Sequence, residues 1–118
     1  LSSLYLKTSQ LATQCSIAHA DGSFDKVLSR LAKYPLLIID EWLRDPLKPQ
    51  QARDVLDLLD IRFRNQSTIF VTQLPVINWH DAIGDKTIAD ALLDRIIHDS
   101  FRLELSGDSF RKQTTTLV

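Results

Sequence analysis

Four apolar residues, Leu36-Leu37-Ile38-Ile39, run directly into two carboxylates, Asp40 and Glu41. An acidic pair at the end of a hydrophobic strand is the hhhhDE form of a Walker B motif. The first carboxylate can support Mg²⁺, usually through water, and the second can polarise the water that attacks a γ-phosphate. Solvated strand ends and helix caps produce the same pattern, so by itself it leaves both readings open. Gln73 ends the next apolar run and, taken alone, is a loop amide. Arg95 lies seven residues after Ile88 and three after Leu92, where an arginine stem lies along an apolar face and the head snorkels or pairs with a carboxylate such as Asp94 or Asp99. Arg111 taken alone is a solvated charge. His80 and His98 have no second His or Cys at metal-ligand spacing, and Cys15 falls on an apolar helix face as a core residue. No Ser-His-Asp or Cys-His arrangement can be read from the spacing.

The elements that must position these groups alternate between strand and helix patterns. Leu4-Tyr5-Leu6-Lys7 has apolar residues at every second position and reads as a short strand. Thr8 or Ser9 can cap a helix with Leu11, Cys15 and Ala18 on one face. Asp21-Gly22 is a turn, and Ser23 can cap a second helix whose Phe24, Val27, Leu28 and Leu31 follow helical spacing. Tyr34-Pro35 ends it, because the residue before proline is pushed out of the α region. The continuous run Leu36–Ile39 suits a parallel strand covered on both faces. Pro49 suits the first turn of the longest helix, about residues 49 to 64, with Ala52, Val55, Leu56, Leu59 and Phe63 inward. Thr68–Thr72 is the next strand, followed by a loop holding Trp79, His80 and Gly84. Asp85 or Thr87 caps a helix through Ile88, Ala91, Leu92 and Ile96. Phe101–Leu105 alternates as an outer strand, and Asp108 or Ser109 can cap a helix beginning near Phe110.

This β-αα-β-α-β-α-β order predicts an α/β fold, a three-layer sandwich around a mostly parallel sheet. The 118 residues fit one domain and leave little room for a second. With 44% hydrophobic and 25% charged residues the composition is that of a globular chain, not a collagen-like, mucin-like or disordered one. No apolar run is long enough to span a bilayer. A single cysteine forms no internal disulfide, which points to a reducing intracellular compartment. A net charge of −1 argues against broad non-specific attraction to nucleic acid but leaves room for a local basic patch.

A resemblance sharpens this picture. Ala20-Asp21-Gly22-Ser23, Leu36–Trp42, Ser67-Thr68, Gln73-Leu74-Pro75-Val76, Trp79-His80, Ala82-Ile83-Gly84-Asp85, Ala89-Asp90-Ala91, Leu93-Asp94-Arg95 and Ser109-Phe110-Arg111-Lys112 resemble, in order and with natural spacing, the IstB-type ATP-binding helper proteins of insertion sequences. These are relatives of the DnaC helicase loader among the AAA+ ATPases. The run from Gln73 to Asp85 is far more specific than a Walker B pattern alone.

The resemblance implies a role for each matched position. Asp40 would be the Mg²⁺-supporting Walker B carboxylate and Glu41 the catalytic one; the family often has a second Asp there, so Glu41 departs toward the general AAA+ form. Gln73 would be the sensor 1 residue near the γ-phosphate, with Thr72 alongside. Arg95 falls where the family places the arginine finger that reaches the next subunit's nucleotide, and Arg111 matches the sensor 2 arginine. ATP and Mg²⁺ would be the cofactors. Self-association, DNA and a transposase or replicative helicase would be the partners, in the cytoplasm and without a membrane.

The resemblance also defines an expectation about what is missing. An ATPase of this type needs G-x-x-x-x-G-K-[ST], whose amides cradle the phosphates. This chain has only Gly22, Gly84 and Gly107, and Gly84-Asp85-Lys86-Thr87 matches half of that motif by accident. Together with the first residue being Leu1, this suggests that residues 1–118 are the later part of an ATPase core, from Walker B to sensor 2. The loop and the central first strand would lie upstream. The family sheet order is 5-1-4-3-2, so without strand 1 the strand at Phe101 would have no neighbour beside that at Thr68. The parent protein would then supply the missing strand, or the sheet would close by shifting the last strand or by pairing between chains. The isolated chain would not bind ATP tightly. The rival expectation is a truncated, non-catalytic remnant used for oligomerisation or binding.

Overall fold

The central strand is the apolar run. In the computed structural model, which describes residues 2–62 and 66–98 together with the strand backbone of 103–105 and 115–117, Leu36–Asp40 forms β2, flanked by β1 (Ser3–Lys7) and β3 (Ser67–Phe70). Both pairings are parallel, in the order β1-β2-β3, with Tyr5 opposite Ile38 and Ile38 opposite Ile69. Connections carry α1 (Thr8–Asp21) and α2 (Phe24–Ala32) between β1 and β2, and α3 (Pro49–Ile61) between β2 and β3. After β3 come a 3-10 turn (Val76–Asn78), α4 (Trp79–Ile83) and α5 (Lys86–Ile97). Leu103–Leu105 (β4) and Thr115–Leu117 (β5) pair antiparallel in a second, two-stranded sheet.

Successive crossovers step the same way across the sheet, and right-handed connections of that kind place their helices on one face. The packing agrees: α1 contacts α2 and α3, α2 contacts α3, and α3 contacts α5. Leu37 and Ile39 are fully buried on the helix side, with Leu11, Leu31, Leu58 and Leu92 among the core around them. The register puts Tyr5, Ile38 and Ile69 together on the other face, where Tyr5 is 51% and Ile69 47% exposed. The α/β class and the parallel sheet are as expected. Of the three expected layers, the described residues build two.

Helix boundaries follow local chemistry. The N–H groups of Lys7 and Lys48 donate to the Gln10 and Gln51 side chains, at 2.9 and 2.8 Å, closing half of a capping box at the starts of α1 and α3. Thr8 is therefore the first helical residue and not the cap. Gly22, at φ +80°, ends α1, and the Ser23 side chain bonds Asp21 without capping α2. Asp85 caps α5 by accepting the Ile88 N–H at 2.9 Å. Gly84, at φ +95°, ends α4, so Gly84–Thr87 is a helix junction, in line with the accidental match to a phosphate loop.

Two expectations change. The region around Trp79 is a helix, because Trp79 is a buried anchor whose indole N–H donates to the Leu74 carbonyl at 2.8 Å. The last strand neither joins nor shifts onto β3; β4 satisfies its pairing with β5. Phe63 and the helix expected from Phe110 lie outside the described residues, and Thr115–Leu117 is strand.

Candidate functional site

Ligands of parallel α/β sheets bind beyond the carboxyl ends of the strands. At that edge the chain continues its pairing past the strands proper: Val71 N–H donates to the Ile39 carbonyl at 2.9 Å, and Trp42 N–H donates to the Val71 carbonyl at 2.8 Å. Asp40-Glu41-Trp42 and Val71-Thr72-Gln73 therefore run side by side. Thr72 completes the lashing, its hydroxyl donating to the Trp42 carbonyl at 2.6 Å and accepting the Leu74 N–H at 3.0 Å. Beneath, the fully buried Trp42 meets Phe70 and Trp79 edge-on, at ring separations of 4.9 and 6.1 Å. This aromatic cluster is a rigid floor for the two turns.

Asp40 is held on both carboxylate oxygens. The Glu41 N–H donates to Oδ1 at 2.8 Å and the Tyr5 hydroxyl donates to Oδ2. These bonds favour the charged carboxylate, and the Tyr5 hydroxyl foremost holds its pKa below the usual range. Glu41 turns away from the strand at φ +55°, and its carboxylate meets the Arg44 guanidinium at 3.2 Å. Gln73 is exposed at the same edge. The structure thus brings Asp40, Glu41, Thr72 and Gln73 together.

Arg95 lies elsewhere. Its Nε donates to the Asp60 carboxylate of α3 and its Nη1 to the Ala91 carbonyl at 3.2 Å; Asp99, one of the carboxylates expected nearby, lies outside the described residues. The 13-residue α3 leaves the carboxyl edge at Pro49 and returns to the amino edge, roughly 20 Å away at 1.5 Å per residue. Asp60 and Arg95 therefore sit on the side of the sheet opposite Asp40. Arg111 lies outside the described residues.

The donor set suits a hard cation held together with phosphates. No group of three or more His, Cys, Asp or Glu residues that could hold a metal is present among the described residues. Mg²⁺ needs none, since it keeps several waters and binds through one or two carboxylates plus substrate phosphates. Asp40 offers hydrogen-bonded but still available oxygens on the open sheet face. The phosphate-cradling loop is absent from the 118 residues, so the most they could supply to such a site is its metal and water side. Spacing alone did not identify Tyr5, Thr8 and Arg44, because their relation to Asp40 and Glu41 depends on strand register and on a turn with positive φ.

The fold resembles that of the replication initiator DnaA, solved with AMPPCP and single-stranded DNA: a TM-score of 0.60 over 76% of this chain and 28% of DnaA, at 12% identity. That likeness is one of fold, an α/β architecture around a parallel sheet. The family model described as IstB-like ATP binding protein matches residues 1–117, and the chain belongs to that family. Relatives named as insertion sequence ATP-binding proteins include one from Sinorhizobium fredii, 40% identical over 92% of this chain and 44% of its own length. Another, of IS232 from Bacillus thuringiensis, is 31% identical over 93% of this chain and 44% of its own length. The chain thus spans less than half the length of these relatives. Among the described residues, no helix is long and apolar enough to cross a membrane.

Proposed function

We propose that this chain carries the metal and water side of the nucleotide site of an insertion-sequence AAA+ ATPase, which couples ATP hydrolysis to self-assembly on DNA and to transposition. One observation carries the reading: parallel neighbours β2 and β3 deliver Asp40-Glu41 and Thr72-Gln73 side by side at the carboxyl edge of the sheet. Asp40 supports Mg²⁺, which when bound with the nucleotide neutralises charge developing on the phosphates. Glu41 orients and deprotonates the attacking water. Gln73 holds that water or the γ-phosphate from the adjacent turn. Arg95, on the opposite side of the sheet, serves the nucleotide of a neighbouring subunit, and Arg111 serves as sensor 2 in its own. The insertion-sequence names of the relatives support a DNA partner and a transposase as the reading for this chain; helicase loading is the less favoured use, because the Gln73–Asp85 run matches the insertion-sequence pattern closely.

The test is Glu41→Gln in the full-length protein. ATP binding is expected to persist while turnover falls by two orders of magnitude or more; unaltered hydrolysis would overturn the assignment. The rival reading, a non-catalytic oligomerisation module, draws on the absence of G-x-x-x-x-G-K from these residues. It predicts that the complete coding sequence also lacks such a loop upstream of Leu1.

A further inference from the structure

The β1–α1 corner grips Asp40 from two sides. Tyr5, on β1, sits opposite Ile38 on the open sheet face; Asp40, two residues beyond Ile38, points to the same face, and the Tyr5 hydroxyl donates to its Oδ2. Thr8, the first residue of α1, donates its hydroxyl to the Asp40 backbone carbonyl at 2.9 Å. The Glu41 N–H occupies Oδ1. The carboxylate is therefore fixed in rotation and in height, with one lone pair on each oxygen left for a ligand. From this geometry we infer that Tyr5 is a positioning residue for the metal site: its hydroxyl orients the Asp40 carboxylate toward the Mg²⁺ that accompanies the nucleotide.

The physical ground is the behaviour of outer-shell partners. A carboxylate free to rotate loses orientational entropy when it engages a metal or its waters, and a donor that fixes it beforehand removes that cost. A phenol suits the task because it reaches across from the neighbouring strand and stays neutral at physiological pH, so it adds no charge to compete with the cation. The relationship rests on the reading of Asp40 as the Mg²⁺-supporting carboxylate.

The experiment uses the full-length protein with a non-hydrolysable ATP analogue, and measures free Mn²⁺ by electron paramagnetic resonance for the wild type, Tyr5→Phe and Asp40→Asn. Tyr5 is half exposed, so Tyr5→Phe removes the hydroxyl and leaves the ring and the fold in place. The expected result is Mn²⁺ affinity lowered about tenfold in Tyr5→Phe, with an unchanged melting temperature. In ATP hydrolysis, the Mg²⁺ concentration for half-maximal rate should rise by a similar factor, while the rate at saturating Mg²⁺ is retained. Wild-type Mn²⁺ affinity in Tyr5→Phe, with affinity lost in Asp40→Asn, overturns the role of Tyr5 alone. Wild-type affinity in Asp40→Asn overturns the reading of Asp40 as well.

Discussion

The hydroxyl of Thr72 donates to the carbonyl of Trp42 at 2.6 Å, so one side chain ties the turn after β3 to the turn after β2. Trp42 needs the tie because its neighbours Glu41 and Leu43 both sit at positive φ, +55° and +59°. Such backbone costs about 1 kcal/mol or more per residue and persists only when the surroundings over-determine it.

Removing the Thr72 hydroxyl while keeping its shape tests that arrangement. Thr72→Val leaves the Trp42 carbonyl without its donor and should destabilise the chain by about 1–3 kcal/mol in urea unfolding. Thr72→Ser, which restores the hydroxyl, should recover most of the loss. Equal stability of the two variants would show that the tie contributes nothing.

Arg95 separates structural from functional roles. It is 40% exposed and its partner Asp60 48% exposed, so the pair is worth no more than about 1 kcal/mol. Arg95→Ala should therefore unfold within about 1 kcal/mol of the wild type, yet hydrolysis by the assembled full-length protein should fall by about 10³ or more. Mixing Arg95→Ala with Glu41→Gln subunits should restore part of the activity, since each lacks what the other supplies across the interface. No recovery on mixing counts against action in trans.

Arg62 is the opposite case. It is 3% exposed, and its guanidinium donates to the Leu31, Tyr34 and Ser67 carbonyls and the Thr68 hydroxyl, at 2.7–3.0 Å. It staples the end of α2, the start of β2 and β3 at the amino edge of the sheet. Arg62→Ala removes a donor from three carbonyls and one hydroxyl and leaves a cavity, and should cost about 3–5 kcal/mol, read from the denaturant midpoint. Arg62→Lys should not rescue it, because an ammonium cannot reproduce the planar fork.

Burial, with the nearby Asp54 carboxylate, pushes the Cys15 thiol up to about 11. The unfolded thiol ionises earlier, so between roughly pH 8.5 and 11 the unfolded state binds fewer protons and stability falls as pH rises. The expected outcome is an alkaline loss of stability in the wild type that is shallower in Cys15→Ala, together with slow reaction of the native thiol at neutral pH. Parallel alkaline slopes for the two proteins would contradict the shift.

Much of this was legible before any coordinates. The apolar spacing located Leu11, Cys15, Ala18, Leu28, Leu31, Ala52, Val55, Leu56 and Leu92, all buried. The abrupt change from Ile39 to Asp40 marked a strand end, because two successive carboxylates break the apolar run that a strand can bury. Leu58 and Ala89 escaped, since a helix packed against two neighbours buries a wider arc than a single stripe. The partner of Arg95 escaped too: it comes from α3, 35 residues away, where spacing along α5 has nothing to say.

The sequence by itself determined the order of strands and helices from β1 to β3, the parallel character of the central strand and the family, because these depend on local periodicity and on motifs contiguous in the chain. Tertiary structure alone decided which face of the sheet stays open, that Tyr5 reaches Asp40 and that Arg95 stands on the opposite side from Glu41. Those relations follow from strand register and helix direction, and register is set only when distant segments pack against one another.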